Sequence, residues 1–344
     1  MEEKKKMSKK KKIALIVSLC VLGLVLALLV TGFVFGKSLL GYVGRLEGAE
    51  ETISQAEEED ILNETDPVDP DATDGVVEEE EWENADLVES SDKIVNILLV
   101  GQDRRTDQST KKRQRSDSMI LCTINKERKS ITITSFMRDL WVKIPDKYYE
   151  RLNVPYKVGG YKLLNATLES EFGIKVDHNI EVDFAGFADV IDALGGVEVT
   201  LTKGEAKYVS AVGEKLDAGT HILNGSQALE YARIRKIGSD FARTNRQRKV
   251  LKTIFNNIKD SSLTELYDLA KKILPMIRTD MTDSEILGLV VEYAPMLSQM
   301  EFVSQRIPVD NAYLLTRIKG KSVIYLNKKN RQKNLDFLRE TIGE

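Results

Sequence analysis

Histidine and cysteine are nearly absent from this chain, with two of each in 344 residues. His178 and His221 stand far apart and belong to no paired ligand motif, so a zinc hydrolase is excluded and both read as surface or structural residues. Cys20 lies in an apolar run and Cys122 in an apolar strand pattern. Both are fillers rather than nucleophiles, and no disulfide framework exists. Lys-Thr-Gly occurs nowhere, so Ser109-x-x-Lys112, in a polar loop, is not a penicillin-binding type serine site. The stretch 46–92 contains no Lys or Arg at all, and no internal repeat is present.

What is there is charge, unevenly distributed. The formal net charge of −4 hides three regions. Residues 1–12 hold seven lysines, residues 46–92 hold twenty Asp or Glu, and residues 93–344 carry 41 basic against 32 acidic side chains, a net +9. Residues 13–35 are 23 uncharged residues, long enough at about 1.5 Å per residue to cross a hydrocarbon core of roughly 30 Å. A signal peptide would have a shorter apolar region before a small-residue cleavage site. The lysines before the run place residues 1–12 in the cytoplasm and everything after residue 36 outside.

The acidic stretch 36–92, with Pro67, Pro70 and little apolar content, predicts an extended linker. A helical stalk over 46–61 is the alternative. Its acids lack the spacing of a calcium loop. An exported domain without disulfides fits a bacterial cell surface of Gram-positive type, where the fold rests on its own core.

From residue 93 the pattern is that of a folded domain. KIVNILLVGQDRR predicts a buried strand and a polar turn; two β-rich runs then flank a turn at Lys126–Lys129. YKLLNATLESEFG predicts a helix stopped by Gly173. NIEVDF, AGFADVIDALGG and VEVTL read as strand, helix, strand, 250–300 as mostly helical, and EFVSQRIPVD and KSVIYL as strands returning to the sheet before a closing helix. The expected fold is one α/β domain, three-layer-like, with a mixed central β-sheet flanked by helices.

Charge gathers at four element ends: Asp103-Arg104-Arg105, Arg115-Ser116-Asp117, Met137-Arg138-Asp139, and YARIRKIGSDFARTNRQRKV over 231–250. Extended chain would put Arg115 and Asp117 on one face, and likewise Arg233 and Arg235, on the order of 7 Å apart. Gly238-Ser239-Asp240 supplies a turn and helix start, after which Asp240, Arg243 and Gln247 form one stripe. Arginine clusters with a helix N-terminus suit a phosphate, and carboxylates among them suit Mg²⁺, with Mn²⁺ as the alternative. Any one cluster alone reads as ordinary solvated charge. Four together, in a domain facing outward from a membrane, point to a phosphate site.

The ordered set NILLVGQDRR, RSDSMILCTINKERKSITITSFMRDLWVKIP, VDFAGFADVIDALGGVEV, GTHILNGSQALEYARIRK and DFARTNRQRKVL resembles the LytR–CpsA–Psr family, from residue 93 to about 260. Two departures stand out: Met137 replaces the family's Pro before Arg138-Asp139, and Gln102 and Arg104 alter its Gly-Ser-Asp-Ser-Arg turn. The resemblance implies a phosphotransferase moving a teichoic acid, capsule or other wall glycopolymer from a polyprenyl diphosphate carrier to a peptidoglycan sugar hydroxyl. It implies Asp103 and Asp117 at the metal and diphosphate, and Arg115, Arg138, Arg233, Arg235, Asp240, Arg243 and Gln247 around the diphosphate, with Asp103 as candidate base. Polymer binding without catalysis, or hydrolysis of the carrier linkage, would use the same basic face. A nucleic-acid partner is excluded by the outward topology, although the family's older label is transcriptional attenuator.

Overall fold

The computed structural model describes residues 43–46, 53–66, 84–88, 93–102 and 115–343. The basic tail, the apolar run 13–35 and the turn bearing Asp103, Arg104, Arg105, Ser109 and Lys112 lie outside them. Among the described residues no helix is long and apolar enough to cross a membrane.

The chain begins its described course with β1 (Gly44–Arg45) and α1 (Gln55–Asn63). β2 (Ile94–Gln102), β3 (Ser116–Asn125) and β4 (Ser130–Phe136) follow, then the short hairpin β5 (Trp141–Lys143) and β6 (Tyr149–Arg151). Next come α2 (Val154–Phe172), β7 (His178–Asp183), α3 (Phe184–Ala193), β8 (Val197–Leu201), α4 (Lys203–Val209), β9 (Gly219–Leu223) and α5 (Gly225–Arg233). α6 (Asp240–Ile258), α7 (Leu263–Ile273), β10 (Arg278–Thr279), α8 (Asp283–Tyr293), β11 (Glu301–Ile307), β12 (Leu314–Ile318), β13 (Lys321–Tyr325) and α9 (Lys328–Ile342) complete it.

Seven strands form a mixed sheet in the order β1-β10-β7-β2-β3-β4-β11. Side chains alternate across β3, and that alternation makes the layers. Met119 and Leu121 join the cluster built with α2 and α9 through Leu164, Leu168 and Leu338, while Ile120 faces the other way onto Phe255 of α6 and Tyr293 of α8. Helices thus cover both faces, as expected. Cys122 packs on the α6 side, where burial pushes its thiol up to about 12, so it is no nucleophile.

The expected turn at Lys126–Lys129 joins β3 to β4. Gly173 stops α2 at φ 68°, in the left-handed region, and a Cβ there would collide with the Asp86 carbonyl. The helix also has an extra first segment, ahead of a break at Gly159–Gly160.

One expectation about strands fails. β13 does not return to the main sheet: it pairs with β12 and forms an isolated bridge between Leu140 and Ile324, while β8, a strand as read, pairs with β9. Local β pattern marks a strand without naming its partner.

The acidic stretch differs most from expectation. It is not extended spacer throughout: three pieces of it dock on the domain. β1 lengthens the sheet edge beside β10. Residues 84–88 run beside the end of α2, with Val88 in the core and its N–H bonded to the Gly173 carbonyl at 2.8 Å. α1 has a full capping box, Ser54 with Glu57, and buries Ile61 against Ile144, Val154 and Val158. Lys321 donates to the Ile61 carbonyl at 2.9 Å and pairs with Glu150 in the interior. Asp66 then bridges Arg151 (3.0 Å) and the Ser322 N–H (2.9 Å). Basic partners supplied by distant parts of the domain offset the self-repulsion of the acids.

Candidate functional site

The site lies where β2 ends and β3 begins. Their register slips between Gly101 and Gln102: Gly101 faces Ser118 and Gln102 faces Ser116, leaving Asp117 as the unpaired residue of a β-bulge. A bulge re-aims its side chain. This is why Arg115 and Asp117 do not simply share a face: Arg115 turns to Glu64 of the docked arm, whereas Asp117 meets the other arginines.

The Asp117 carboxylate accepts from Arg138 Nη1 at 3.0 Å and from Arg235 Nη2 at 3.3 and 3.4 Å. Arg138, just past β4, also faces Asp139 (3.4 Å) and Asp240 (3.7 Å). Burial lowers the Arg138 pKa, but Asp139, Asp240 and Asp117 outweigh it and the net shift is upward. For Asp139 burial dominates and raises the carboxyl above its ordinary range, against Arg138 and with Asp240.

Helix α6 brings the predicted stripe into place. Arg243 pairs with Asp240 at 2.9 Å, and Gln247 Oε1 lies 3.5 Å from the Ser118 hydroxyl. Arg243 is 3% exposed, and its Nε has no hydrogen-bond acceptor. Burial, with Arg138 and Arg235 nearby, holds its pKa below the ordinary guanidinium value despite Asp240. Such a group is stabilised by an added anion.

Arg233 and Arg235 are not on extended chain. Arg233 ends α5 and stacks on the Phe184 ring, 4.3 Å from guanidinium carbon to centroid, while Arg235 lies in the following loop. Arg246 holds that loop, and the sequence reading missed it. It is buried, pairs with Glu205 at 2.7 Å, and donates to the Ile234 (3.0 Å) and Ile237 (2.7 Å) carbonyls. Its only local sign was its i, i+3 spacing from Arg243, which puts it at the edge of the charged stripe.

Two hollows meet here. One, of about 840 Å³, opens between the arm and Arg115, Arg138 and Arg235. The other, of about 370 Å³, lies among Phe184, Tyr208, Arg233, Arg243 and Gln247. Asp117 and Arg235 line both. Asp117 carries hard carboxylate oxygens of the kind Mg²⁺ takes, here held by Arg138 and Arg235. Among the described residues no group of three His, Cys, Asp or Glu side chains gathers as a metal cage. Asp103, the second expected ligand, lies outside the described residues.

A profile of the LytR_cpsA_psr family matches residues 52–340. The chain belongs to that family. Its match begins at the docked arm rather than at residue 93. Biofilm regulatory protein A of Streptococcus mutans is 33% identical over 216 residues, 57% of this chain and 52% of that protein. The polyisoprenyl-teichoic acid–peptidoglycan teichoic acid transferase TagT of Bacillus subtilis is 35% identical over 178 residues, 50% of this chain and 55% of TagT. This chain therefore spans about half the length of those two relatives. TagU of Bacillus cereus, a transferase of the same description, is 32% identical over 225 residues, 64% of this chain and 71% of TagU. Among solved structures, TagT bound to LI-WTA superposes with a TM-score of 0.60 at 26% identity, over 76% of this chain and 97% of that one. Bacillus subtilis TagV gives 0.58 at 27%, over 73% and 98%.

Proposed function

We propose that this family member transfers a wall glycopolymer from a polyprenyl diphosphate carrier to a hydroxyl of peptidoglycan, at the outer face of the cell membrane. In this reading the run 13–35 is the single membrane span and residues 1–12 are cytoplasmic. The observation that carries the reading is Arg243: a buried guanidinium, paired with Asp240 but with its Nε unpartnered and crowded by Arg138 and Arg235, calls for a multiply charged anion. The names of the TagT and TagU relatives supply the polymer class, a teichoic acid.

The chemistry is positioning and charge stabilisation. Arg138, Arg235 and Arg243 would bind the diphosphate, Arg233 and Gln247 would flank it, and Asp117 would orient the first two guanidiniums. The acceptor oxygen forms a bond to the saccharide-linked phosphorus as the bond from that phosphorus to the bridging oxygen breaks. Polyprenyl monophosphate leaves with the bridging oxygen and its electron pair. The hydroxyl proton passes to a carboxylate, and Asp139 is the candidate base that the described geometry offers, because burial raises its proton affinity. Asp117, with Asp103, would hold Mg²⁺ or Mn²⁺, which when bound neutralises diphosphate charge.

The test uses the full chain in nanodiscs with a polyprenyl-diphosphate-linked saccharide and peptidoglycan fragments, with and without Mg²⁺. Metal-dependent attachment, abolished by Asp117→Ala and by Arg138→Ala, is the expected result. Release of saccharide phosphate without attachment would make the protein a diphosphatase; binding without turnover, indifferent to both substitutions, would make it a polymer-binding module.

A further inference from the structure

The larger hollow has two unlike walls. The domain side contributes Arg115, Arg138, Arg151, Lys157 and Arg235 together with Asp117 and Asp139; the arm side contributes the carboxylates Glu57, Asp60, Glu64 and Asp66 and no cation. Glu64 and Asp66 are matched to Arg115 and Arg151, so the arm already answers the cations nearest to it. A phosphate-bearing chain entering here would meet carboxylates, whereas the adjoining hollow presents Arg233, Lys236 and Arg243 with Glu230. A lipid tail fits no better, because Ile61 is the only apolar side chain among the described residues that line the cleft.

The floor shows what is wanted instead. Asn153 is 6% exposed, lines the cleft, and its Oδ1 has no hydrogen-bond partner; it caps the start of α2 without a side-chain bond. Arg151, 7% exposed and also on the lining, has no hydrogen-bond acceptor for its Nε. A buried acceptor and a buried donor left open in one cleft suit a group that both gives and takes a hydrogen bond, which is a hydroxyl. The arm carboxylates add acceptors for further hydroxyls. The wall is also held firmly, by buried Ile61, by Lys321 on its carbonyl and by Asp66 on Arg151, so little order is lost when a ligand binds.

We propose that the cleft between the docked arm 53–66 and the arginine cluster is a subsite for an uncharged, hydroxyl-rich saccharide, with Glu57, Asp60 and Asn153 as its hydrogen-bond acceptors. Its role as the place of the acceptor sugar rests on the transfer reading above; the binding itself does not. Because Asp117 and Arg235 border both hollows, a saccharide here abuts the diphosphate position.

The probe is chitohexaose, an uncharged N-acetylglucosamine hexamer, titrated calorimetrically into the full chain in nanodiscs, with inorganic pyrophosphate titrated in parallel. Two variants are compared: Glu57→Gln with Asp60→Asn, which keeps the capping box since Gln serves at that position, and Asn153→Leu. The expected result is a fivefold or greater loss of chitohexaose affinity in each, with the same melting temperature and pyrophosphate affinity unchanged or tighter. Failure of the wild type to bind chitohexaose, or equal binding by both variants, overturns the subsite. Chitohexaose binding that follows this pattern in a protein without transfer activity would uphold the subsite and refute the transfer reading alone.

Discussion

Lys321→Met isolates what fastens the acidic arm to the domain. Lys321 and Glu150 are each 1% exposed, and the Lys321 ammonium also donates to the Ile61 carbonyl. Methionine keeps most of the stem's volume but leaves Glu150 as a buried charge whose remaining contacts are the Arg151 N–H at 3.0 Å and its Nε at 3.8 Å. Breaking a buried pair from one side costs about 3–5 kcal/mol. In a domain of this size that is a melting temperature lower by roughly 6–20 °C. Adding Glu150→Gln removes the stranded charge and should restore at least half of the loss. Thermal unfolding of the single and double variants measures both numbers. Digestion with a Glu-specific protease reports the arm directly, since it carries Glu57, Glu58, Glu59 and Glu64 but no site for trypsin. A single variant that melts within 2 °C of wild type, or a double variant no better than the single, would refute the claim that this pair anchors the arm.

Arg246→Met should raise the KM for the polyprenyl diphosphate donor about tenfold or more although no phosphate-facing arginine is replaced, because it frees the loop that carries Arg235; an unchanged KM in the transfer assay would count against a positioning role. Asp139→Asn should lower kcat on the order of 10²-fold and erase the acidic limb of the pH–rate profile, which in wild type lies above the ordinary carboxylate range because burial raises that pKa. Burial likewise pushes the Glu171 carboxyl up to about 7 from 4.5, against Arg331 and Lys143. Between those two values the folded chain holds a proton that the unfolded chain has lost, so stability falls as pH rises across that window, by roughly 3 kcal/mol in all. Glu171→Gln should flatten the dependence, which urea midpoints at pH 4.5 and pH 8 would reveal.

The parts of this structure that sequence could reveal are those whose cause is local. Gly173 ends its helix because only the next backbone step matters, and Asp240, Arg243 and Gln247 share a stripe because helical period puts them there. Asp117 was legible as a charge at a strand end, but not its bulge, which depends on the register of β2 opposite. Arg233 and Arg235 read as extended because α5 ends one residue into the run. The arm was hidden for a different reason. Twenty acids without one base look unable to fold, and the groups that neutralise them, Arg115, Lys147 and Arg151, come from elements 51 to 89 residues further along the chain. Arg246 resembled its basic neighbours until its burial separated it from them.

Helix α6 touches every layer of the protein. Phe241, two residues before Arg243, packs with the α2 side of the sheet; Val250 and Ile254 pack under β8 and β9; Leu251 and Phe255 pack on the opposite sheet face. A rod pinned in three places along its length cannot slide or roll without opening all three contacts at once. Arg243 and Gln247 therefore behave as fixtures of the whole domain rather than as adjustable side chains of a surface loop, and the ligand must come to their geometry. Substitutions far from the phosphates, in any of those three contacts, would then loosen the same grip and show as a common, shallow loss of donor affinity.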